Sequence, residues 1–443
     1  MGQQRAEATG PLAVFRQFFA LRRDVLVLSV AMFAFSLGFQ MTSRFLPEYL
    51  VALGASGLVV GLFGTVGNII SAVYPYPGGA ISDRLGSRYA LTLFGLVSTL
   101  GFLVWLLAPL VGPVTIAGVV IPPWVWIFVG LLFAQAWKSF GLGASFAVVK
   151  QATDPSRLAA GFASTETFRR TAFLLGPVIA AVLIGLHPRF TVSFQYVLVV
   201  AVVFGAVGTL VQHVLYDASE DTLGSSFGGL NQIYADLREM PDPLRPLLIG
   251  DTLVRFANGM VYVFFVLVVT QVLQVGVDTT VALGGFVYTV DLSPQAFFGY
   301  LLGVEMVVAL LSMAPAARLA EIVGLKPIVA VGFGVYALFP FVLINLPASA
   351  FALVLAFAFS GLRFAGLPSH KALIVGPAEA GAGGRVTGTY YLVRNAIVIP
   401  SAAFGGVLWD VVSPTMAFTV AAVIGMLGTV YFLLFGDEFA AYA

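Results

Sequence analysis

The chain has 443 residues, 59% of them hydrophobic and 10% charged, with a formal net charge of +1 and a mean hydropathy of +0.98. So little polar surface cannot clothe a water-soluble globule of this length; the chain reads as a membrane protein with no basic soluble domain for nucleic acid. The absence of cysteine excludes a disulfide framework, thiolate metal sites and a cysteine nucleophile.

At the start, Phe15, Phe18 and Phe19 interleave with Arg16, Arg22 and Arg23, which predicts a short helix on the membrane surface within 1–24. Apolar stretches of about 20 residues, the length that crosses a hydrocarbon core, follow at 25–49, 57–78, 89–111, 122–148, 159–186, 190–215, 247–275, 295–316, 327–347, 349–375, 386–410 and 414–435. They are numbered below as spans 1 to 12. The first follows a basic stretch, as a secretory signal would, but lacks a small-residue cleavage pattern and is read as retained. Backbone in lipid must satisfy its own hydrogen bonds, and runs this long without two-residue alternation are helices rather than barrel staves. The expected fold class is all-α polytopic, with twelve transmembrane helices.

Spans 2 and 3 are joined by Gly79-Ala80-Ile81-Ser82-Asp83-Arg84-Leu85-Gly86-Ser87-Arg88. An echo returns between spans 8 and 9, where Glu321 stands for Asp83, Gly324 for Gly86 and Lys326 for Arg88. A charged turn repeated between membrane-length segments predicts two similar six-helix bundles, 25–215 and 246–443. The segment 216–245 between them is a polar, cytoplasmic linker. In it Leu230, Ile233, Tyr234, Leu237 and Met240 recur at helical spacing, which fits either an amphipathic helix on the inner face or a plain tether. A second correspondence sets Lys138 and Arg170 in spans 4 and 5 beside Arg363 and Arg394 in spans 10 and 11. It argues for a site at the interface of the repeats.

Basic residues orient the chain. If residue 1 is cytoplasmic, the loops on that side collect fourteen Lys and Arg, whereas the opposite loops hold Arg189 alone. That asymmetry predicts a multi-pass protein of the cell (plasma or inner) membrane with both termini cytoplasmic.

Each ionisable residue at the middle of a span costs about 2.5–3.5 kcal/mol and needs a partner or a wet cavity. Seven basic residues lie in spans (Arg44, Lys138, Arg169, Arg170, Arg255, Arg363, Arg394) with three acidic ones (Glu166, Asp251, Glu305); Glu48 ends span 1. In span 7, Asp251, Arg255, Asn258 and Tyr262 form one stripe that is expected to line a central cavity. Glu166 with Arg169 or Arg170 is either a self-satisfied pair or part of the site. Asp251 with Arg255 reads as a structural pair near the inner interface, and Arg44 as reaching Glu48 across one turn. Glu305 has no basic residue on its own helix, so its partner is Arg255, Arg363 or Arg394. The excess of buried cations calls for a negatively charged substrate. Glu305 and Glu166 are the candidates to take up and release a proton as the cavity changes sides.

The loop Gly79–Arg88 resembles the GxLaDRxGRR signature of the major facilitator superfamily, and the helix count, linker and repeat extend the likeness over the whole chain. In span 4 the family's arginine position before Gly141 and Gly143 is Trp137, with Lys138 one residue on. In span 5 the family's GPxxGG pattern appears as Gly176-Pro177-Val178-Ile179-Ala180-Ala181. The resemblance implies secondary transport by rocking of two six-helix domains, with helices 3, 6, 9 and 12 toward lipid. It also implies a gating role for Gly79, Asp83, Arg84, Gly86, Arg88, Glu321, Gly324 and Lys326; the bland alternative is a solvated turn.

Lys138, Arg170, Arg255, Asn258, Tyr262, Arg363 and Arg394 are the expected substrate or cavity residues. No cofactor or metal is expected: Gly381-Ala382-Gly383-Gly384 lacks the lysine and hydroxyl of a phosphate loop, and His187, His213 and His370 stand in no ligand spacing. Nothing resembles a nucleophile with its base, so enzymatic chemistry is not expected. The expected function is proton-coupled transport of a small organic anion or amphiphilic solute by a monomer in the lipid bilayer. The alternatives are proton-driven multidrug efflux and an anion channel.

Overall fold

The computed structural model describes residues 23–74, 81, 84–116, 118–138, 158–216, 242, 244–283, 286–375 and 383–438; side chains over 158–170 and 375–388 fall outside that set. The expected surface helix before span 1 and nearly all of the linker lie outside the described residues. Among those described, eight helices are long and apolar enough to cross a membrane. Three shorter apolar helices, Gly57–Val73, Val125–Lys138 and Thr171–Ile184, and the helix Arg23–Ser43 complete the set read from hydropathy. Arg23–Ser43 is continued, after a turn at Arg44 and Phe45, by Leu46–Ala52.

Packing reproduces the repeat. In the first half span 1 packs on spans 5 and 6, span 6 on span 3, and span 3 on span 4; in the second half span 7 packs on 11 and 12, span 12 on 9, and span 9 on 10. The halves meet where span 2 packs on span 11 and span 8 on span 5, which are the same contact carried over by six helices. Spans 3, 6 and 12 each leave an apolar stripe on the outside, seen in Leu93, Leu96 and Leu100, in Val199, Val203 and Val207, and in Val423, Leu427 and Val430. This is the lipid-facing placement that the resemblance implies.

The two charged turns share one backbone solution. Gly86 (φ 80°, ψ 155°) precedes span 3 and Gly324 (φ 91°, ψ 167°) precedes span 9, a left-handed conformation that side chains with a Cβ rarely adopt. At the other end of the bundle Ser56, Ser293 and Ser413 cap spans 2, 8 and 12, each accepting a backbone N–H of the first turn.

The fold is all-α as expected, and that end also carries two short hairpins in the connections between spans. Val114–Ile116 pairs with Val119–Ile121, and Val277–Leu283 pairs with Phe286–Leu292, as antiparallel hairpins between spans 3 and 4 and spans 7 and 8. The longer one joins β-branched strands across Gly284-Gly285, a dipeptide suited to a two-residue turn.

Membrane helices associate through close packing at small residues. At Gly405 in span 11, an added Cβ would collide with the Met260 carbonyl of span 7, which is backbone and cannot swing aside. Gly405→Ala is therefore expected to destabilise the fold by about 1–3 kcal/mol, read as a lowered melting temperature in detergent.

Candidate functional site

Glu305 sits midway along span 8 and is 3% exposed. It accepts a hydrogen bond from Ser360 Oγ at 2.9 Å and pairs with Arg363, both from span 10. From the other half of the molecule, Arg44 Nη2 approaches its second oxygen at 3.6 Å. Of the three partners open from sequence, Arg363 is the one in contact; Arg44 was missed. The expected Arg44–Glu48 pair does not form, because the helix is interrupted at Arg44 and Phe45 and the one-turn relation is lost. Arg44 lies instead with its guanidinium carbon 4.0 Å from the Tyr262 ring centroid. Glu48 turns to the second half, where Thr270 Oγ1 (2.7 Å), Gln271 Nε2 (3.1 Å) and Gln295 Nε2 (3.0 Å) donate to its carboxylate.

Arg363, expected on the cavity, is 2% exposed and is not among the cavity's lining residues. Its guanidinium carbon stands 4.8, 5.2 and 5.8 Å from the ring centroids of Phe364, Tyr336 and Phe339. Its Nε and Nη1 have no hydrogen-bond partner among the described residues, so the ring faces and Glu305 offset its desolvation.

The second cluster is built on Asp251, which is 0% exposed. Arg255 Nε donates to Oδ1 at 3.2 Å; Arg394 Nη1 and Tyr390 Oη each donate to Oδ2 at 3.1 Å. His370 Nε2 stands 3.3 Å from Oδ2, within ion-pair distance but not aligned for a hydrogen bond. The i,i+4 pair with Arg255 was read correctly, but its surroundings were not: the carboxylate lies at the meeting of spans 7, 10 and 11. Tyr390 is one helical turn from Arg394, a signal the sequence did carry. His370 and Tyr336 had none. Tyr336 joins the two clusters, since its hydroxyl accepts from Arg255 Nη1 at 3.0 Å and its ring faces Arg363.

Beside Asp251 opens a cavity of about 190 Å³ between the halves, lined by Asn68 of span 2, by Arg255, Asn258 and Tyr262 of span 7, and by Arg394 and Asn395 of span 11. Three of the four residues of the span 7 stripe therefore face one space, with Asp251 behind them. Arg255 and Arg394 each touch Asp251 and also border the cavity. Lys138 borders a different cavity, of about 60 Å³, within the first half, with its Nζ 4.3 Å from the Phe39 ring centroid. The side chains of Glu166, Arg169 and Arg170 lie outside the described residues. No group of three or more His, Asp or Glu among the described residues is disposed to hold a metal.

Of the repeated turn, Gly79 and Asp83 and the Glu321 side chain lie outside the described residues. Arg84 is exposed. Arg88 Nε donates to the His213 carbonyl at 2.8 Å, tying span 3 to the end of span 6. In the second half the backbone N–H groups of Leu325 and Lys326 donate to the Glu438 carboxylate at 3.0 and 2.8 Å, an acid at a helix N-terminus.

At the hairpin end the halves are joined by two carboxylates, Glu48 as described and Asp410. Asp410 Oδ2 accepts the Leu58 N–H at 2.6 Å, in the first turn of span 2. Thr270 and Gln271, which hold Glu48, and Asp410 itself all sit on π-helical turns, Val268–Val272 in span 7 and Leu408–Val412 in span 11. Such turns re-aim side chains within a helix.

The family model of the Major Facilitator Superfamily matches residues 28–291. Two uncharacterised MFS-type transporters of Mycobacterium tuberculosis, from strains CDC 1551 and H37Rv, are each 30% identical over 184 residues. That alignment covers 41% of this chain and 40% of each relative, so the chain matches less than half the length of these curated relatives. Among solved structures, a bacterial homologue of the iron transporter ferroportin in its inward-facing state is 13% identical with a TM-score of 0.71, covering 97% of this chain and 100% of that one. A POT family transporter in complex with a thioalcohol-conjugated peptide is 13% identical with a TM-score of 0.70, covering 95% and 99%. The nucleoside transporter NupG is 12% identical with a TM-score of 0.69, covering 93% and 98%. With its doubled six-helix packing, its paired glycine turns and a match over more than half its length, this chain belongs to the major facilitator superfamily and is a multi-pass membrane protein.

Proposed function

We propose that this protein moves a small organic anion by alternating access, coupled to protons, as a monomer in the cell membrane with both termini cytoplasmic. The observation that carries the reading is the pair Arg255 and Arg394. Each is anchored on Asp251 and borders the cavity between the halves, so an anion entering it meets two oriented guanidinium groups. Among the described buried or half-buried charges of the spans, the cations Arg44, Arg255, Arg363 and Arg394 outnumber the carboxylates Glu48, Asp251 and Glu305 by one, which supports the same sign. Beside Arg255 and Arg394, Asn258 and Tyr262 stand on the cavity wall, facing Asn68 and Asn395 across the same space.

Coupling is assigned to Glu305, the carboxylate that holds one arginine from each half. When charged it favours the two halves drawn together at that point; when protonated it releases Arg44 and lets the interface reopen. Glu166 is kept as a second candidate from its place in span 5. The hairpin end, closed by Glu48 and Asp410, is the outer side in this orientation, and the turns at Gly86 and Gly324 are the cytoplasmic gates, with 25–215 and 246–443 as the moving bundles joined by 216–245.

The test is a melting titration of the purified protein with carboxylates and phosphate esters. Anions that bind raise the melting temperature by mass action. Arg394→Gln removes a charge-assisted hydrogen bond and is expected to weaken their apparent affinity by about 10- to 100-fold. Equal affinity in Arg394→Gln and the parent protein, or stabilisation by cations alone, overturns the reading.

A further inference from the structure

Two cavities border span 1, and the second of them shares residues with the cavity between the halves. The first, in the N-terminal half, is walled by Phe35, Phe39, Phe102, Trp137 and Phe173, with Lys138 at its rim. Its volume of about 60 Å³ is several times the roughly 10–15 Å³ that one water needs. One helical turn along span 1 from Phe39 and Gln40, a rise of about 5.4 Å, Ser43 and Arg44 line a second space of about 40 Å³ together with Tyr262 and Val263. Tyr262 and Val263 in turn line the cavity that holds Arg255 and Arg394. The chemistry of these three neighbouring spaces changes from aromatic, through a guanidinium stacked on a tyrosine, to cationic and amide-lined. At the cationic end Asn258 Oδ1 is buried without a hydrogen-bond partner among the described residues. A buried amide without a partner is costly unless a ligand serves it.

We infer that the transported anion is an amphiphile bound in two parts, its anionic head and a neighbouring hydrogen-bonding group on Arg255, Arg394 and Asn258, and its aromatic or alkyl tail between Phe39, Trp137 and Phe173. This rests on the anion reading of the same site and narrows it to arylalkyl or medium-chain carboxylates carrying a polar group next to the acid. The first half then contributes apolar burial and the second half charge, so a substrate spanning both is bound best when the halves are drawn together.

The test compares acetate, which has the head alone, with 3-phenylpropionate, which adds a ring, as the concentration giving half-maximal stabilisation in a melting titration of the full-length protein. Burial of the ring is expected to make 3-phenylpropionate bind about tenfold or more tightly than acetate. Phe39→Ala is expected to shrink that ratio by at least about fivefold, and Phe173→Ala to do the same should the first variant fail to fold. A ratio near one, or a ratio untouched by both variants while the two anions still depend on Arg394, overturns the two-part site and leaves the anion reading standing. Loss of Arg394 dependence for both anions overturns the two together.

Discussion

Asp251→Ala is expected to lower the stability of the folded protein by about 3–5 kcal/mol, the cost of removing one member of a buried ionic cluster and leaving the others uncompensated. The effect is large because Arg255, Arg394, Tyr390 and His370 all converge on this carboxylate, which no water reaches, at the junction of three spans. The measurement is the melting temperature in detergent together with the yield of monodisperse protein. A companion variant separates the loss of pairing from the loss of volume. Replacing Asp251 by leucine and Arg255 and Arg394 by methionine removes the charges together and is expected to recover most of the lost stability, since an apolar cluster of similar size is often as stable as a buried ionic one. Parental melting in Asp251→Ala would mean that the arginines find other partners and that Asp251 does not organise the cluster.

Glu305→Gln is expected to reduce uptake driven by a pH gradient in proteoliposomes at least about tenfold while substrate exchange continues. The amide keeps the shape and still accepts from Ser360 Oγ, but no longer carries the charge that holds Arg363 and Arg44. A carboxylate that must alternate between charged and neutral states is thereby fixed in a neutral form. Arg44 is the arm that crosses to the other half, so the variant should also weaken the association of the halves at that point. pH-driven uptake equal to that of the parent protein removes Glu305 from the coupling step.

The relation of sequence to structure differs between the two kinds of feature. Spans were legible because lipid forces each crossing segment to be apolar and to satisfy its own backbone, so hydropathy alone finds them. Gly86 and Gly324 were legible as a repeat because each must adopt a positive φ at the start of a helix. The span 7 stripe was legible because residues at three- and four-residue spacing share a face, and Arg255, Asn258 and Tyr262 do border one cavity. The pairing of charges was not. Arg44 was given to Glu48 by helical spacing, and a turn at Arg44 and Phe45 sent one to Glu305 and the other to Thr270, Gln271 and Gln295.

The amino-acid order alone thus determined the class, the succession of apolar spans and their doubling, because these follow from local rules of solvation and backbone geometry. Tertiary structure alone decided which acid each arginine meets, and that Arg363 is caged by rings rather than open to the cavity. Those partners lie on other helices, and which side chains face each other across a helix interface is set by how the helices pack, a relation no spacing along the chain encodes.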